Sequence, residues 1–311
     1  MIADLHAHYP MRVLTDMDPD TAAKAMKARG GATFSDRFKA FVLRIANKIG
    51  NHESWELGHR PGAQRRGRMS SRRHARRNRI QLREAAARGV GYVTVAHLFF
   101  RQVATNANAL PFAPDFLYDF FFPQRGKDRL TVRGEALIRG LVRNRIMIDL
   151  SHMDPPAIRE TSALLDEVDP QSEVPVISTH AGFRFGRQEY MHDEGILLQL
   201  KRRRGVVGLI MAQHQLNDGL RDEETKTLEE SIEVICAHID EIAKITGGYE
   251  QIALGTDFDG FIKPTMGGLE DAGDLALLEA ALIDRYGEEN AERMTWTNAL
   301  GVLQRIWPKA A

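Results

Sequence analysis

Residues able to bind a metal ion or to transfer a proton stand directly after short apolar runs of this sequence. They are His6 and His8 near the start, and then His97, His152, His180 and Asp257. Imidazole nitrogens suit zinc, and a catalytic zinc site keeps coordination positions open for water and substrate. His6 and His8 are two residues apart at a strand end, so both rings can point to one ion. The pattern predicts a catalytic metal site with an acid for proton transfer.

The apolar runs before these residues are predicted to be buried parallel strands. They occupy residues 2–5, 91–96, 146–151, 174–179, 205–211 and 251–256. Segments of helical periodicity lie between and after them, at 130–143, 154–165, 194–204, 228–246, 269–286 and 291–307. This alternation, with chemistry at the C-terminal ends of several strands, predicts a (β/α)8 TIM barrel of the metal-dependent hydrolase type. No Gly-x-Gly-x-x-Gly turn follows a strand, which counts against a dinucleotide fold.

Residues 57–83 interrupt this alternation. They contain ten arginines, no acid and few apolar side chains. A closed barrel needs eight buried strands, whereas the sequence supplies six apolar runs, and an unpaired arginine is costly to bury. We therefore expect a single barrel domain over 1–311 in which two early strands are missing or irregular. The Arg-rich segment at 57–83 should run over the surface and leave an open edge beside the His97 strand.

The composition is that of a globular protein. The chain has 311 residues, of which 43% are hydrophobic and 27% charged, and its formal net charge is zero. The arginines of 57–83 would hold phosphates, but no aromatic side chain lies among them, so nucleic-acid binding is the disfavoured alternative. No apolar stretch is long enough to span a membrane and no signal-like segment precedes His6. A cytoplasmic protein without a membrane partner is expected.

Three other side chains are interpreted from their surroundings. Cys236 lies in an apolar helical stripe and is predicted to pack in the core. His192 and His238, on a loop and a helix, are expected to be solvated.

Six motifs in combination resemble the renal or membrane dipeptidase family of zinc-dependent, amidohydrolase-like hydrolases. They are Asp4-Leu5-His6-Ala7-His8, Val95-Ala96-His97, Ile148-Asp149-Leu150-Ser151-His152, Pro175-Val176-Ile177-Ser178-Thr179-His180, Gly255-Thr256-Asp257-Phe258-Asp259-Gly260 and Gly268-Leu269-Glu270-Asp271. The resemblance covers residues 1–10 and about 88–307. It implies a TIM barrel whose two zinc ions hydrolyse dipeptides, with a small peptide as substrate; a homodimer is left open.

The resemblance also implies a role for each site residue. His6 and His8 would bind the first zinc, and His152 and His180 the second. Asp257 would be the acid and base that moves the proton from the attacking water to the leaving amine. His97 would bind substrate and stabilise the oxyanion, and Arg187, or else Arg184, would hold the substrate carboxylate.

Two departures from the family pattern bear on activity. His8 stands where the family usually has Asp, and imidazole can still bind zinc. The glutamate that would bridge both metals falls in the Arg-rich stretch, near Ser70 to His74, where no acid is present. Glu56, in Glu56-Leu57-Gly58-His59, is the nearest look-alike. The alternatives are therefore another amide or lactone hydrolase of the amidohydrolase type, or a catalytically impaired relative.

Overall fold

The strands predicted from apolar runs form one parallel sheet in the computed structural model. The structure describes residues 2–5, 82–97, 103–109, 118, 129–258, 260, 262 and 264–306, and the backbone of 9–11 and 54–55. An antiparallel pair, β1 (Tyr9–Met11) and β2 (Ser54–Trp55), stands apart from five parallel strands that lie side by side in chain order. These are β3 (Tyr92–Thr94), β4 (Met147–Asp149), β5 (Val176–Ala181), β6 (Val207–Leu209) and β7 (Ile252–Leu254).

Residues 2–5 extend this sheet beyond β7. Asp4 forms a parallel bridge with Leu254, and the backbone N–H of Leu5 donates to the Leu254 carbonyl at 2.9 Å. All six predicted runs are therefore adjacent parallel elements. The Tyr92 hydroxyl, on β3 at the other end of the sheet, donates to the Leu5 carbonyl at 3.2 Å. In a flat sheet these ends would lie about 24 Å apart. The hydrogen bond therefore requires a strongly curved sheet, consistent with a (β/α) barrel.

Both faces of the sheet are buried, as the continuous apolar runs predict. On the inner face, one apolar cluster takes a residue from each of several neighbouring strands and is covered by helix 298–306; its buried members are Leu5, Met147, Ile177, Val206, Ala253, Ala299 and Val302. The alternate residues Ile148, Val176, Val207 and Ile252 belong to the larger cluster of buried apolar residues. Cys236 is buried in that larger cluster, which confirms its predicted packing role.

Helices lie between the strands in the sequence and after the last of them. They are α1 (Val132–Arg143), α2 (Pro155–Val168), α3 (Glu194–Arg202), α4 (Gln213–Leu216), α5 (Leu228–Thr246), α6 (Leu275–Tyr286), α7 (Glu288–Glu292) and α8 (Asn298–Ile306). Thr131, Asp154, Asp193 and Thr227 cap α1, α2, α3 and α5, each side chain accepting a hydrogen bond from a first-turn backbone N–H. These side chains explain why each helix begins where its loop ends.

The two C-terminal helices differ from the sequence prediction. The helix expected over 269–286 begins only at Leu275, because Asp271 caps a separate 3-10 turn, Ala272–Asp274. The helix expected over 291–307 is divided: α7 ends at Glu292, and a π-helical turn, Arg293–Thr297, leads into α8.

The Arg-rich segment lies almost entirely outside the described residues. Its last two residues, 82 and 83, begin a helical stretch that runs to residue 87, and the Leu82 side chain packs against the core beside Gly140. Among the described strands, β3 pairs with β4 alone. The open edge beside the His97 strand therefore stays a prediction.

A β-bulge in β5 shapes the part of the sheet that holds His180. Ser178 pairs with Val207 and Ala181 pairs with Leu209, so three steps along β5 face two along β6. The Thr179 carbonyl then points at the neighbouring backbone, where a Cβ added to Gly208 or Gly255 would overlap it. Glycine at these two positions allows the bulge to form.

Candidate active site

Four of the predicted site residues lie at the C-terminal ends of the parallel strands. His97 follows β3, His152 follows β4, His180 lies within β5, and Asp257 follows β7. The ring centroids of His97 and His152 are 4.4 Å apart, and those of His152 and His180 are 4.9 Å apart. The structure thus brings three histidines from three neighbouring strands into one cluster.

His152 and His180 face each other through their Nε2 atoms, which lie 3.1 Å apart. His152 is 6% exposed and His180 is completely buried. Two nitrogens bound to one tetrahedral zinc at about 2.0–2.1 Å would lie roughly 3.3 Å from each other. The observed separation fits two imidazoles that share one ion, so this pair is suited to the role that the sequence assigns to it.

Buried Asp149 stands behind this pair and was not singled out from the sequence. Its Oδ1 accepts hydrogen bonds from the backbone N–H groups of Ser151 and Thr179, at 3.0 and 2.9 Å. Its Oδ2 accepts from the hydroxyls of Thr94 and Thr179, at 2.7 and 2.8 Å. The Thr179 hydroxyl in turn lies 2.8 Å from His180 Nδ1. A fully buried carboxylate thereby reaches the proposed metal ligand through one intervening hydroxyl.

Thr256, the residue before Asp257, is held by a carboxylate in the same way as Thr179. Asp4 Oδ1 accepts from the backbone N–H of Thr256 at 3.0 Å, and Asp4 Oδ2 accepts from the Thr256 hydroxyl at 2.5 Å. The clamped threonine again comes directly before the residue with a proposed chemical role. Asp4 and Asp149 therefore each join two neighbouring strands at the end where the site lies.

His152 and Asp257 both have left-handed backbone conformations, with φ of 68° and 58°. Such values are uncommon outside glycine, cost energy, and cluster at functional sites. At Asp257 the conformation belongs to a turn that closes where the Gly260 N–H donates to the Asp257 carbonyl at 2.9 Å. At both strand ends the backbone turns, so the side chains of His152 and Asp257 do not continue the direction of the strand.

Tyr190 completes the buried wall of the cluster, and no sequence periodicity marked it. Its hydroxyl donates to the His180 carbonyl at 3.1 Å, and its ring centroid lies 5.1 Å from that of His152. Burial, together with the negative charges of Asp257 and Asp149, raises the pKa of Tyr190 well above 10.0. Tyr190 is therefore a neutral hydrogen-bond donor at physiological pH.

The expectation that His192 and His238 are solvated is wrong, because both are buried. The Nε2 atom of His192 lies 2.7 Å from the Ser178 hydroxyl. His238 accepts from the Phe183 N–H at Nδ1 and donates from Nε2 to the Leu216 carbonyl. Burial lowers the pKa of each to about 4, so both are neutral at pH 7. His192 lies on a loop, where periodicity indicates nothing about burial. His238 stands three residues after Ile235 and four before Ile242 on the buried face of α5, and this spacing could have indicated its burial.

The two arginines considered for substrate binding differ in exposure. Arg187 is exposed on the loop after β5, whereas Arg184 is half-buried and donates from Nε to the Met191 carbonyl at 3.1 Å. Its Nη2 is buried with no hydrogen-bond partner among the described residues. A guanidinium with a donor to spare remains compatible with binding a carboxylate.

The remaining predicted ligands, His6 and His8, lie outside the described residues, as does Glu56, the look-alike of the bridging glutamate. Accordingly, within the described part of the chain no group of three or more His, Cys, Asp or Glu side chains is placed to hold a metal ion. The pair His152 and His180 supplies two of the ligands that a site would need.

The described helices include none with the length and hydrophobicity needed to cross a bilayer.

The chain is similar in sequence to known proteins. An uncharacterised protein in the pqqA 5' region of Klebsiella pneumoniae is 28% identical over 184 residues, which cover 57% of this chain and 61% of that protein. An uncharacterised dipeptidase of Schizosaccharomyces pombe is 29% identical over 229 residues, which cover 73% of this chain and 48% of the relative.

A solved structure shares the fold. The probable dipeptidase PvdM of Pseudomonas aeruginosa superposes with a TM-score of 0.58 at 16% identity, over 73% of this chain and 65% of that one. The chain spans only about half to three fifths of the length of the two relatives named above. The family model for membrane dipeptidase (peptidase family M19) matches residues 74–310. Because this match covers more than half of the chain, the protein belongs to the membrane dipeptidase family, peptidase family M19.

Proposed function

We propose that this protein is a zinc-dependent dipeptidase whose two ions are bound by His6 and His8 and by His152 and His180. The observation that carries the proposal is the 3.1 Å approach of the His152 and His180 Nε2 atoms at the same barrel end as Asp257. Two buried imidazoles facing each other in this way form a ligand pair. The family relationship supplies the reaction class.

Bound zinc would lower the pKa of water and polarise the scissile carbonyl. The chain's own groups perform the remaining steps. Asp257 accepts the proton of the attacking water and returns it to the leaving amine. His97, at the end of β3 and next to His152, hydrogen-bonds the oxyanion.

An arginine of the loop after β5 binds the substrate carboxylate. The candidates are Arg187, which is exposed, and Arg184, which has a buried Nη2 without a partner among the described residues. A charged fork facing the C-terminal carboxylate would restrict substrates to short peptides. A cytoplasmic location and a homodimer remain predictions beside this one.

Asp257→Asn tests the reaction. The zinc-loaded protein is assayed on L-L and L-D dipeptides, a tripeptide, an N-acetylated amide and a lactone. We expect zinc-dependent cleavage of dipeptides that falls by about 10²–10⁴-fold in Asp257→Asn with zinc content retained, because an amide cannot accept the proton. Asp240→Asn, an exposed carboxylate on α5 that pairs with Arg285, is the matched control.

Unchanged hydrolysis by Asp257→Asn would place the base elsewhere. If the lactone or the amide is cleaved and the dipeptides are not, the result would support another amidohydrolase activity. Zinc binding without any hydrolysis would support the impaired relative that lacks the bridging glutamate.

A further inference from the structure

Protons can be assigned along the hydrogen bonds that converge on Asp149. The Thr179 hydroxyl has a single proton, and it donates that proton to Asp149 Oδ2 at 2.8 Å. Toward His180 the same oxygen can only accept, so the 2.8 Å contact with Nδ1 requires the imidazole to carry its proton there. A neutral ring with Nδ1–H has its lone pair on Nε2, the atom that faces His152.

The neighbouring hydroxyls fit the same direction of donation. The Ser151 hydroxyl lies 3.2 Å from both the Thr179 and Ser178 hydroxyls, and it accepts from the His180 backbone N–H at 3.1 Å. His192 Nε2 lies 2.7 Å from the Ser178 hydroxyl. An unbroken series of donors can therefore run from His192 through Ser178, Ser151 and Thr179 to the carboxylate, where it ends on an atom that only accepts.

We propose that Asp149 is a positioning residue that, through the Thr179 hydroxyl, holds His180 in the Nδ1–H tautomer and so keeps its Nε2 lone pair available to the metal. The identity of His180 as a metal ligand rests on the proposed function. The β-bulge places Thr179 and His180 between the two paired positions of β5, and the Asp149 hydrogen bonds fix Thr179 at that point. The recurrence of the same two-pronged contact between Asp4 and Thr256, directly before Asp257, indicates a device for orienting site residues.

Asparagine at 149 would reverse the direction of donation. Its oxygen can still accept from the Ser151 and Thr179 N–H groups, so the fold is expected to persist. Its amide nitrogen would donate to the Thr179 hydroxyl, which then turns its own proton to His180 Nδ1. The ring is left with its proton on Nε2, the tautomer that cannot bind a metal there.

The test uses the whole 311-residue chain, metal-free and with 15N-labelled histidine, in which the ring nitrogen shifts of His180 report its tautomer. We expect Nδ1–H in the wild type and in Thr179→Ser, which keeps the hydroxyl. Asp149→Asn and Thr179→Val should shift His180 toward Nε2–H and weaken zinc binding by about 10–100-fold in a chelator competition. Thr295→Val removes another buried threonine hydroxyl, one that donates to Ala291 within a helix, and is the control for a merely structural loss.

An unchanged His180 tautomer and unchanged zinc affinity in Thr179→Val would overturn the proposal, and that variant decides the matter if Asp149→Asn does not fold. A loss of zinc affinity in Thr179→Ser or Thr295→Val as large as the loss in Thr179→Val would also overturn it. Because the tautomer is read without metal or substrate, the positioning role can stand if dipeptide hydrolysis is absent. It can equally fail while hydrolysis is present.

Discussion

Buried histidines away from His152 and His180 make the stability of the fold depend on pH. Burial lowers the pKa of His238 to about 4, compared with 6.5 for an ordinary histidine. Between these values the unfolded chain binds a proton that the folded chain does not. The free energy of unfolding therefore falls as the pH drops from about 6.5 to about 4, and above this window the group has no effect.

His238→Gln should reduce this pH dependence, because glutamine can both accept from Phe183 N–H and donate to the Leu216 carbonyl without titrating. We expect the slope of unfolding free energy between pH 6 and 5 to decrease by up to about 1.4 kcal/mol per pH unit. Urea unfolding of metal-free wild type and variant at several pH values measures it. Burial also lowers the pKa values of His192 and His214 to about 4, so these two residues should maintain part of the slope in both proteins. Identical slopes would show that His238 is not the titrating group.

The sequence predicted the residues of the candidate site, but it did not predict the residues that position them. His97, His152, His180 and Asp257 were identifiable because each follows an apolar run. Asp149 could have been noticed as a charged residue inside such a run, where an unpaired carboxylate is costly. Tyr190 had no comparable signal, because its position depends on how the loop after β5 folds back over the strand.

Among the elements, β5 has a shape that depends on glycines in the neighbouring strands. Its bulge directs the Thr179 carbonyl at Gly208 and Gly255, and a methyl group at either position would overlap backbone atoms that cannot turn aside. The sequence predicted the strand and missed the bulge, because a bulge leaves the apolar run unchanged. The capped starts of α1, α2, α3 and α5 were easier to predict, since a capping side chain acts within one turn.

Gly255→Ala is expected to destabilise the protein by at least about 1–3 kcal/mol, the usual cost of overpacking. It should also reduce zinc affinity, because the displaced Thr179 carbonyl is part of the bulge that orients His180. Denaturant unfolding and chelator competition measure the two effects. Gly301→Ala in α8 is the matched control: its added methyl meets no atom within 4 Å, and it should stabilise by about 0.5–1 kcal/mol. Equal stability of the two variants would contradict the packing described around the bulge.

The described parts of the chain are built around a curved sheet, whose two ends are joined by the hydrogen bond from the Tyr92 hydroxyl to the Leu5 carbonyl. The six strand-like segments match the six apolar runs, because a parallel strand buried on both faces must be apolar throughout. The Arg-rich segment could not be interpreted in this way, since its composition excludes a buried strand without specifying what replaces it. The single barrel domain over 1–311, the surface course of 57–83 and the open edge beside β3 stay predictions.

Zinc content after exhaustive dialysis decides whether His152 and His180 bind a metal ion. We predict about two ions per chain in the wild type and a loss of the second ion when His152→Ala and His180→Ala are combined. His238→Gln, a buried histidine outside the cluster, should retain the wild-type content. An unchanged zinc content in the double variant would contradict the assignment of His152 and His180 as a metal-binding pair.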